Sequence, residues 1–247
     1  MRIILAPAKK MQRADDDFVS RGLPVFLNKT EVLLEKMRSM ESAELKKMWK
    51  CSDQIVRQNE ERLRTMDLRN RLSPAVFSYI GLAYQHMAPG AMTEEQLDYL
   101  QEHLRILSGF YGVLKPFDGV TPYRLEMQAI VPQLGDLYSF WGDALYKEVR
   151  DEDGVIVNLA SKEYSSAIEK YLGENDRMVT AVFGEKKNGK IIQKGTMAKM
   201  ARGEMTWWMA ENNVQDPEEL KNFDAGWRFS EEDSSENEFV FLSTDRK

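Results

Sequence analysis

Short continuous runs of apolar residues lie near both ends of the chain, a pattern typical of buried strands. The Asn188-Gly189 pair follows one such run and is typical of the tight turn of a β-hairpin. The pattern predicts five strands that share one sheet, at residues 2–6, 155–160, 178–185, 191–194 and 239–242. The order of these strands within the sheet is not readable from the sequence.

The middle of the chain has apolar positions at spacings of three and four, which predict helices. The clearest helix begins with a capping box formed by Thr93 and Gln96, continues through a leucine stripe that ends at Leu107, and stops at Gly109. Further helices are predicted at residues 30–40, 43–50, 52–66, 140–150, 161–171 and 197–212. Strands at both ends around a helical centre predict a mixed α and β (α+β) fold, and the lack of a linker or repeat predicts a single domain over residues 1–247.

The composition is that of a soluble globular chain, with 43% hydrophobic and 30% charged residues among 247. No apolar run is long enough to span a membrane, and the opening apolar stretch is too short for a signal peptide. The single cysteine, Cys51, excludes a disulfide within the chain. We therefore expect a cytoplasmic protein without a membrane partner, and a monomer.

The charge is distributed unevenly. A net charge of −6 argues by itself against a nucleic-acid partner. However, residues 211–238 carry ten acidic and two basic side chains, whereas residues 186–203 carry six basic side chains and residues 2–13 carry four, both without an acid. The clustering of basic charge indicates an anionic partner, while the acidic segment at 211–238 is expected either to repel that partner from the opposite surface or to cover the site where it binds.

Familiar catalytic motifs are absent from the sequence. Two histidines and one cysteine do not suffice for the usual zinc sites, and the sequence has no nucleophile elbow, Walker-type loop or dinucleotide-binding glycine motif. A carboxylate-rich metal site assembled from distant residues stays open. The sequence therefore predicts neither a metal site nor a cofactor.

A glycine-containing turn follows the predicted leucine helix. Two glycines, Gly109 and Gly112, leave backbone N–H groups unshielded in a way that suits a phosphate, and basic residues flank them at Arg105, Lys115 and Arg124. The same pattern is also an ordinary helix stop whose basic residues form salt bridges, so both interpretations stay open.

Two further candidate regions carry polar side chains. Lys199 and Arg202 share one face of the predicted helix at 197–212, either as an anion-binding face or as a solvated one. The second region is the corner after the strand at 155–160, where ligands often bind. Its candidate residues are Asn158, Ser161, Glu163 and Tyr164, although Ser161 also suits a helix cap and Tyr164 a packing role.

Ordered motifs over essentially the whole chain resemble the YaaA family of bacterial proteins, which is associated with the peroxide stress response. The motifs are Pro7-Ala8-Lys9, Gly81-x-x-Tyr84, Leu104-Arg105-x-Leu107-Ser108-Gly109-x-Tyr111-Gly112-Val113-Leu114-Lys115-Pro116, Pro122-Tyr123-Arg124-Leu125-Glu126-Met127, Phe140-Trp141-Gly142-Asp143, Asn158-Leu159-Ala160-Ser161 with Glu163-Tyr164, and Ala201-Arg202-Gly203. The chain departs from the family at Ala6, where many members have serine, and at Leu82 and His86.

The resemblance implies a compact fold in which a positively charged cleft and a helix-hairpin-helix element, placed here on residues 107–112, bind DNA. It also implies a role in limiting oxidative DNA damage and unincorporated iron during peroxide exposure. No reaction is carried over with it.

The preferred hypothesis is a DNA-binding protein that contacts duplex or branched DNA through its backbone, independently of base sequence. The predicted DNA-binding residues are Lys9, Arg105, Ser108, Gly109, Tyr111, Gly112, Lys115, Arg124, Lys194, Lys199 and Arg202. Neutralising about six phosphates predicts a slope near −5 for log affinity against log salt.

The alternative hypothesis is an enzyme or a small-ligand protein for an anionic, nucleotide-like substrate. In this interpretation Glu163 is the general base, Lys9 or Arg202 stabilises developing charge, and Asn158, Ser161 and Tyr164 complete the site.

Overall fold

A computed structural model of the chain describes residues 1–14 and 18–244. The strands are β1 (Arg2–Leu5), β2 (Lys10–Met11), β3 (Ser73–Pro74), β4 (Tyr79–Ile80), β5 (Leu104–Ser108), β6 (Gly112–Leu114), β7 (Gly119–Val120), β8 (Ile130–Val131), β9 (Gly135–Asp136), β10 (Val155–Leu159), β11 (Arg177–Lys187), β12 (Lys190–Ile192), β13 (Trp227–Phe229) and β14 (Glu238–Ser243). The α-helices are α1 (Leu27–Arg38), α2 (Ser42–Trp49), α3 (Asp53–Thr65), α4 (Ala75–Ser78), α5 (Leu82–Met87), α6 (Glu94–His103), α7 (Leu137–Trp141), α8 (Ala144–Val149), α9 (Lys162–Glu169) and α10 (Gly195–Glu211).

The main sheet has the strand order β13-β14-β11-β10-β1-β5-β6, and β12 pairs with β11 outside this path. The five strands from β14 to β5 are parallel, and the outer strands β13 and β6 are antiparallel to their neighbours. Central parallel strands are covered on both faces, which explains their continuous apolar runs. The prediction of a mixed α and β fold with a central sheet is confirmed, and all five predicted strands belong to this sheet.

The chain order of the strands creates a crevice beside β1. From β1 the next strand of the sheet is β5 on one side, whereas β10 lies on the other side of β1 and is followed by β11 still farther out. The connections that leave β1 and β10 therefore run in opposite directions. In open parallel sheets, ligands bind at the carboxyl ends of two such strands, where the helices diverge.

The predicted helix-hairpin-helix at 107–112 is wrong, because these residues belong to a β-hairpin. Helix α6 ends at His103, and β5 and β6 pair in antiparallel fashion with Leu107 opposite Val113. Leu104 and Leu107 continue the leucine spacing of α6, although they belong to β5. They are apolar because every residue of β5 is buried between β1 and β6, so the match to helical spacing is a coincidence.

The glycines of this segment have structural reasons for their positions. A Cβ on Gly109 would lie 2.7 Å from the carbonyl oxygen of Leu125, and Gly112 has a φ of +79°. Gly109 therefore allows a close backbone approach, and Gly112 adopts the backbone conformation of a turn inside the core.

The other predicted helices are confirmed, with ends that differ by a few residues. The exception is residues 140–150, where Gly142, with a φ of +58°, separates α7 from α8. None of the helices within residues 1–14 and 18–244 has both the length and the apolar character needed to cross a membrane.

Candidate functional site

A pocket of about 350 Å³ opens at the carboxyl ends of β1 and β10, in the crevice that the strand order creates. The strand ends contribute Leu5 and Leu159, and the segments that follow them contribute residues 6–10 and 161–164. Helix α5 supplies the opposite wall, and α10 supplies two cations. The complete lining is Leu5, Ala6, Pro7, Ala8, Lys9, Lys10, Ile80, Gly81, Leu82, Ala83, Tyr84, Glu126, Leu159, Ser161, Glu163, Tyr164, Lys199 and Arg202.

One side of the pocket is apolar and aromatic. Tyr84 and Tyr164 are buried together with Leu5 and Leu159, and the Tyr84 hydroxyl donates a hydrogen bond to the carbonyl oxygen of Ala6 at 3.1 Å. Burial raises the pKa of both tyrosine hydroxyls well above the usual value, so both stay neutral. The pocket therefore offers a surface for a ring or another apolar body.

Arg202 is the most unusual side chain of the pocket. Its Nε is buried without a hydrogen-bond partner within residues 1–14 and 18–244, and burial lowers the pKa of the guanidinium. Among the residues that the structure describes, no carboxylate lies within salt-bridge distance of it, and the same is true of the exposed Lys199. The positive charges of Arg202 and Lys199 are therefore not compensated by any described carboxylate, so the site is suited to an anion.

Helix α10 is held against α5 at an unusually short distance. A Cβ on Gly203 would lie 2.0 Å from the carbonyl oxygen of Ala83, and Glu204 lies 2.9 Å from His86 Nδ1 on α5. Because Gly203 directly follows Arg202, this close packing also fixes the position of the Arg202 backbone relative to the pocket.

The two carboxylates of the pocket differ in their partners. Glu126 forms salt bridges with Lys9 and Arg124, both at 2.9 Å. Glu163 accepts a hydrogen bond from the Gln128 N–H at 3.3 Å and has no salt bridge within the described part of the chain. Four cations, Lys9, Lys10, Lys199 and Arg202, thus face two carboxylates, and the lining has a surplus of positive charge.

Six of the residues predicted from the sequence meet in this pocket: Lys9, Ser161, Glu163, Tyr164, Lys199 and Arg202. Ser161 begins α9 without a side-chain capping bond, so its hydroxyl is left for the pocket. Arg124 lines a small adjoining cavity. Asn158 is buried beside the site. Its side chain accepts a hydrogen bond from the Ala160 N–H at 2.9 Å and donates one to Thr180 Oγ1 at 3.2 Å, and these bonds stabilise the backbone between β10 and α9.

The residues predicted around the 109–112 turn lie away from the pocket. Arg105 is 5% exposed and donates to the carbonyl oxygen of Leu104 at 2.8 Å. Gly109 and Gly112 are buried, and the N–H groups of Phe110 and Tyr111 donate to Ser108 Oγ. These backbone donors already have a partner inside the protein.

The remaining predicted cations differ in their environments. Lys194 forms a salt bridge of 2.5 Å with Glu185, and Lys115 is exposed outside the pocket lining. Within residues 1–14 and 18–244, no three His, Cys, Asp or Glu side chains are grouped so that they could hold a metal ion.

Lys10, Glu126 and the wall formed by α5 line the pocket but are not among the site residues predicted from the sequence. Their signals were present, since Tyr84 and Glu126 lie in motifs that carry the family resemblance and Lys10 follows Lys9. What was missing was the information that these separate motifs surround one cavity.

Comparison with known proteins gives the chain its family. The profile of the family described as Peroxide stress protein YaaA matches residues 1–233. This chain belongs to that family. A UPF0246 protein of Agathobacter rectalis is 53% identical over 245 residues, which cover 98% of each chain. UPF0246 proteins of Lachnoclostridium phytofermentans and Pediococcus pentosaceus are 51% and 49% identical, the former over 98% of this chain and 96% of its own, the latter over 99% of both. Because these relatives match over nearly the full chain, the YaaA assignment includes every segment that lines the pocket.

Proposed function

We propose that this YaaA family member binds a compact organic phosphate in the pocket between β1 and β10. The observation that carries the proposal is the position of Arg202, which lines a pocket at the point where the strand connections diverge and forms no salt bridge with any residue that the structure describes. Arg202 and Lys199 bind the phosphate, and Lys10 adds positive charge at the rim.

The rest of the pocket suits the organic part of such a ligand. Tyr84, Leu5 and Leu159 form an apolar wall, and the volume of about 350 Å³ lies in the usual range for small-ligand sites. The surplus of two positive charges among the lining residues favours a dianionic phosphate monoester over a monoanionic carboxylate.

The test is a calorimetric titration with adenosine 5′-monophosphate as the probe. An Arg202→Gln variant should bind about ten- to a hundredfold more weakly, because it loses charged hydrogen bonds to the phosphate. Arg57→Gln, on the exposed surface of α3, is the matched control and should bind like the wild type. Equal affinity in the two variants, or no binding to the wild type, contradicts the proposal.

DNA is a second candidate ligand, favoured by the cations at the rim. Lys10 and Lys199 are exposed and form no salt bridge within residues 1–14 and 18–244, so a phosphate backbone that passes over the pocket can reach both. Binding of this kind is independent of base sequence and sensitive to salt.

The family resemblance extends the proposal to the cell. In this proposal the protein limits oxidative damage to DNA and lowers unincorporated iron during peroxide exposure, with the pocket as its point of control. We propose no metal ligands for this role.

A further inference from the structure

Glu163 is the one carboxylate of the pocket whose charge no neighbouring cation neutralises, within the part of the chain that the structure describes. Glu126, the other carboxylate, is bound by both Lys9 and Arg124. The pocket therefore combines unpaired cations on α10 with an unpaired anion at the start of α9. A ligand that fits both must carry an anionic group at one end and hydrogen-bond donors elsewhere.

The position of Glu163 is fixed by its backbone and by one side-chain contact. The Tyr138 hydroxyl donates to the Glu163 carbonyl oxygen at 2.7 Å, and the Gln128 N–H reaches Oε1 at 3.3 Å. This single, long bond leaves most of the acceptor capacity of the carboxylate unused. An anchored carboxylate with free acceptor sites is suited to recognising donors rather than to neutralising charge.

The phosphate cannot be the group that meets Glu163, because two anions in contact repel each other. The partner of Glu163 must instead be neutral or cationic and carry N–H or O–H donors. A pair of neighbouring hydroxyls matches the two oxygens of a carboxylate, and an acidic side chain at the carboxyl edge of a parallel sheet serves ribose hydroxyls in the same way.

The apolar wall distinguishes among phosphates that carry such a hydroxyl pair. A bare sugar phosphate has hydroxyls but no apolar surface to place against Tyr84, Leu5 and Leu159, whereas a nucleoside monophosphate has a base for that wall. We infer that the pocket is a site for a ribonucleoside 5′-monophosphate, in which Glu163 accepts hydrogen bonds from the ribose hydroxyls and so determines specificity. This inference rests on the proposed phosphate-binding function and adds the class of ligand.

The experiment compares three probes by calorimetry: adenosine 5′-monophosphate, its 2′-deoxy analogue and ribose 5-phosphate. The wild type should prefer the ribonucleotide over the deoxynucleotide by about tenfold or more, because the deoxynucleotide leaves the carboxylate without one of its donors. It should also prefer the ribonucleotide over ribose 5-phosphate, which cannot use the apolar wall.

Two variants assign the sugar preference to Glu163. Glu163→Gln and Glu163→Ala should reduce the ratio of ribonucleotide affinity to deoxynucleotide affinity (the ribo-to-deoxy ratio) to about twofold or less. The affinity for the deoxynucleotide should stay equal or rise slightly, because a negative charge is lost near the phosphate. Retained binding of the deoxynucleotide also shows that the variants are folded. Glu152→Gln, at an exposed position without a salt bridge among the described residues, is the control and should keep the full ratio.

The outcomes separate the two proposals. Equal affinity of the wild type for ribonucleotide and deoxynucleotide, together with loss of both in Arg202→Gln, overturns the role of Glu163 and leaves phosphate binding intact. An unchanged ribo-to-deoxy ratio in both Glu163 variants also overturns it. Absence of binding of all three probes overturns the inference and the proposed function together.

Discussion

Arg105 and Arg202 each have a buried Nε without a hydrogen-bond partner in the described part of the chain, but their surroundings differ. Arg105 lies on β5 and donates hydrogen bonds to the carbonyl oxygens of Gln101 and Leu104. Burial lowers the pKa of its guanidinium to about 10. The side chain of Arg202 makes no such bond with the residues that the structure describes, and it lines the pocket. Burial alone therefore does not distinguish the two arginines, whereas the cavity beside Arg202 does.

Asp118 offers a stability test at the residue scale. Burial raises the pKa of its carboxyl from 3.8 to about 6, while its Oδ2 accepts the Lys115 N–H at 2.8 Å. Because the folded state holds this proton more tightly than the unfolded state, the contribution of the Asp118 carboxyl to stability is greatest below about pH 4 and is lost as the pH rises through 6. Asp118→Asn should therefore raise the free energy of unfolding at pH 7.5 by up to about 3 kcal/mol, and the gain should shrink towards pH 4.

Urea denaturation of the wild type and the variant at several pH values measures this difference. The exposed Asp224→Asn variant is the control and should show no such pH-dependent gain. A gain that is the same at pH 4 and pH 7.5 contradicts the assignment to the Asp118 proton.

At the scale of elements, the packing of α10 on α5 supports the pocket. Gly203→Ala places a methyl group within 2.0 Å of a backbone oxygen that cannot move without shifting α5, so the helices must separate. We expect a loss of stability of about 2 kcal/mol or more, measured by urea denaturation, and weaker nucleotide binding in the molecules that remain folded.

Gly195→Ala provides the control on the same helix, because the added carbon would have no heavy atom of another described segment within 4 Å. That variant should be as stable as the wild type or slightly more stable, since alanine favours helix. Similar effects of the two substitutions contradict the proposed role of the close helix contact.

Whether the hydrophobic pattern predicts a strand depends on the length of that strand and on what precedes it. Long central strands such as β10 and β11 were predicted because parallel strands covered on both faces have continuous apolar runs. The strand β5 was missed because leucines at helical spacing continued into it, and periodicity does not separate a buried strand from a buried helix segment. The three-residue strand β13 is too short to give a pattern.

The candidate site was predicted residue by residue but not as an assembly. Lys9, Glu163 and Arg202 were chosen from local signals: a strand end, a strand-to-helix corner and a basic helix face. Which basic residues remain unpaired depends on tertiary contacts, such as those of Lys9 with Glu126 and Lys186 with Glu232. Such contacts between separate segments leave no periodic trace in the sequence.

At the scale of the whole molecule, the acidic segment 211–238 is part of the fold rather than an appendage. It contains β13, buried residues such as Phe223 and Trp227, and two carboxylates, Glu232 and Asp233, that bind Lys186. Deleting it would remove part of the core, so its influence on anions is better tested by neutralising single carboxylates.

The salt dependence of DNA binding is the prediction at this scale. Three cations lack a salt bridge among the described residues: Lys10 and Lys199 at the rim and Arg202 within the pocket. If all three contact phosphates, we expect a slope of about −3 for log affinity against log salt instead of the value near −5 that six contacts give. Fluorescence anisotropy with a duplex at several salt concentrations measures the slope.

Lys10→Gln should make this slope shallower by about 1, whereas Lys47→Gln, on the exposed surface of α2, should not change it. A wild-type slope near −5 would show that further cations outside the pocket contact the DNA. Affinity that does not depend on salt would exclude backbone binding at the rim.

The central place of β1 has a consequence for the synthesis of the protein. This strand is translated before its partners, which begin only at Leu104 and Val155, so both hydrogen-bonding edges of this apolar segment stay unpaired until those residues are made. Pairing across such sequence distances is slow, and the nascent chain is prone to aggregation during that time. A polypeptide interrupted before α10 carries Lys9 and Lys10, which follow β1, but lacks Arg202 of the proposed anion site.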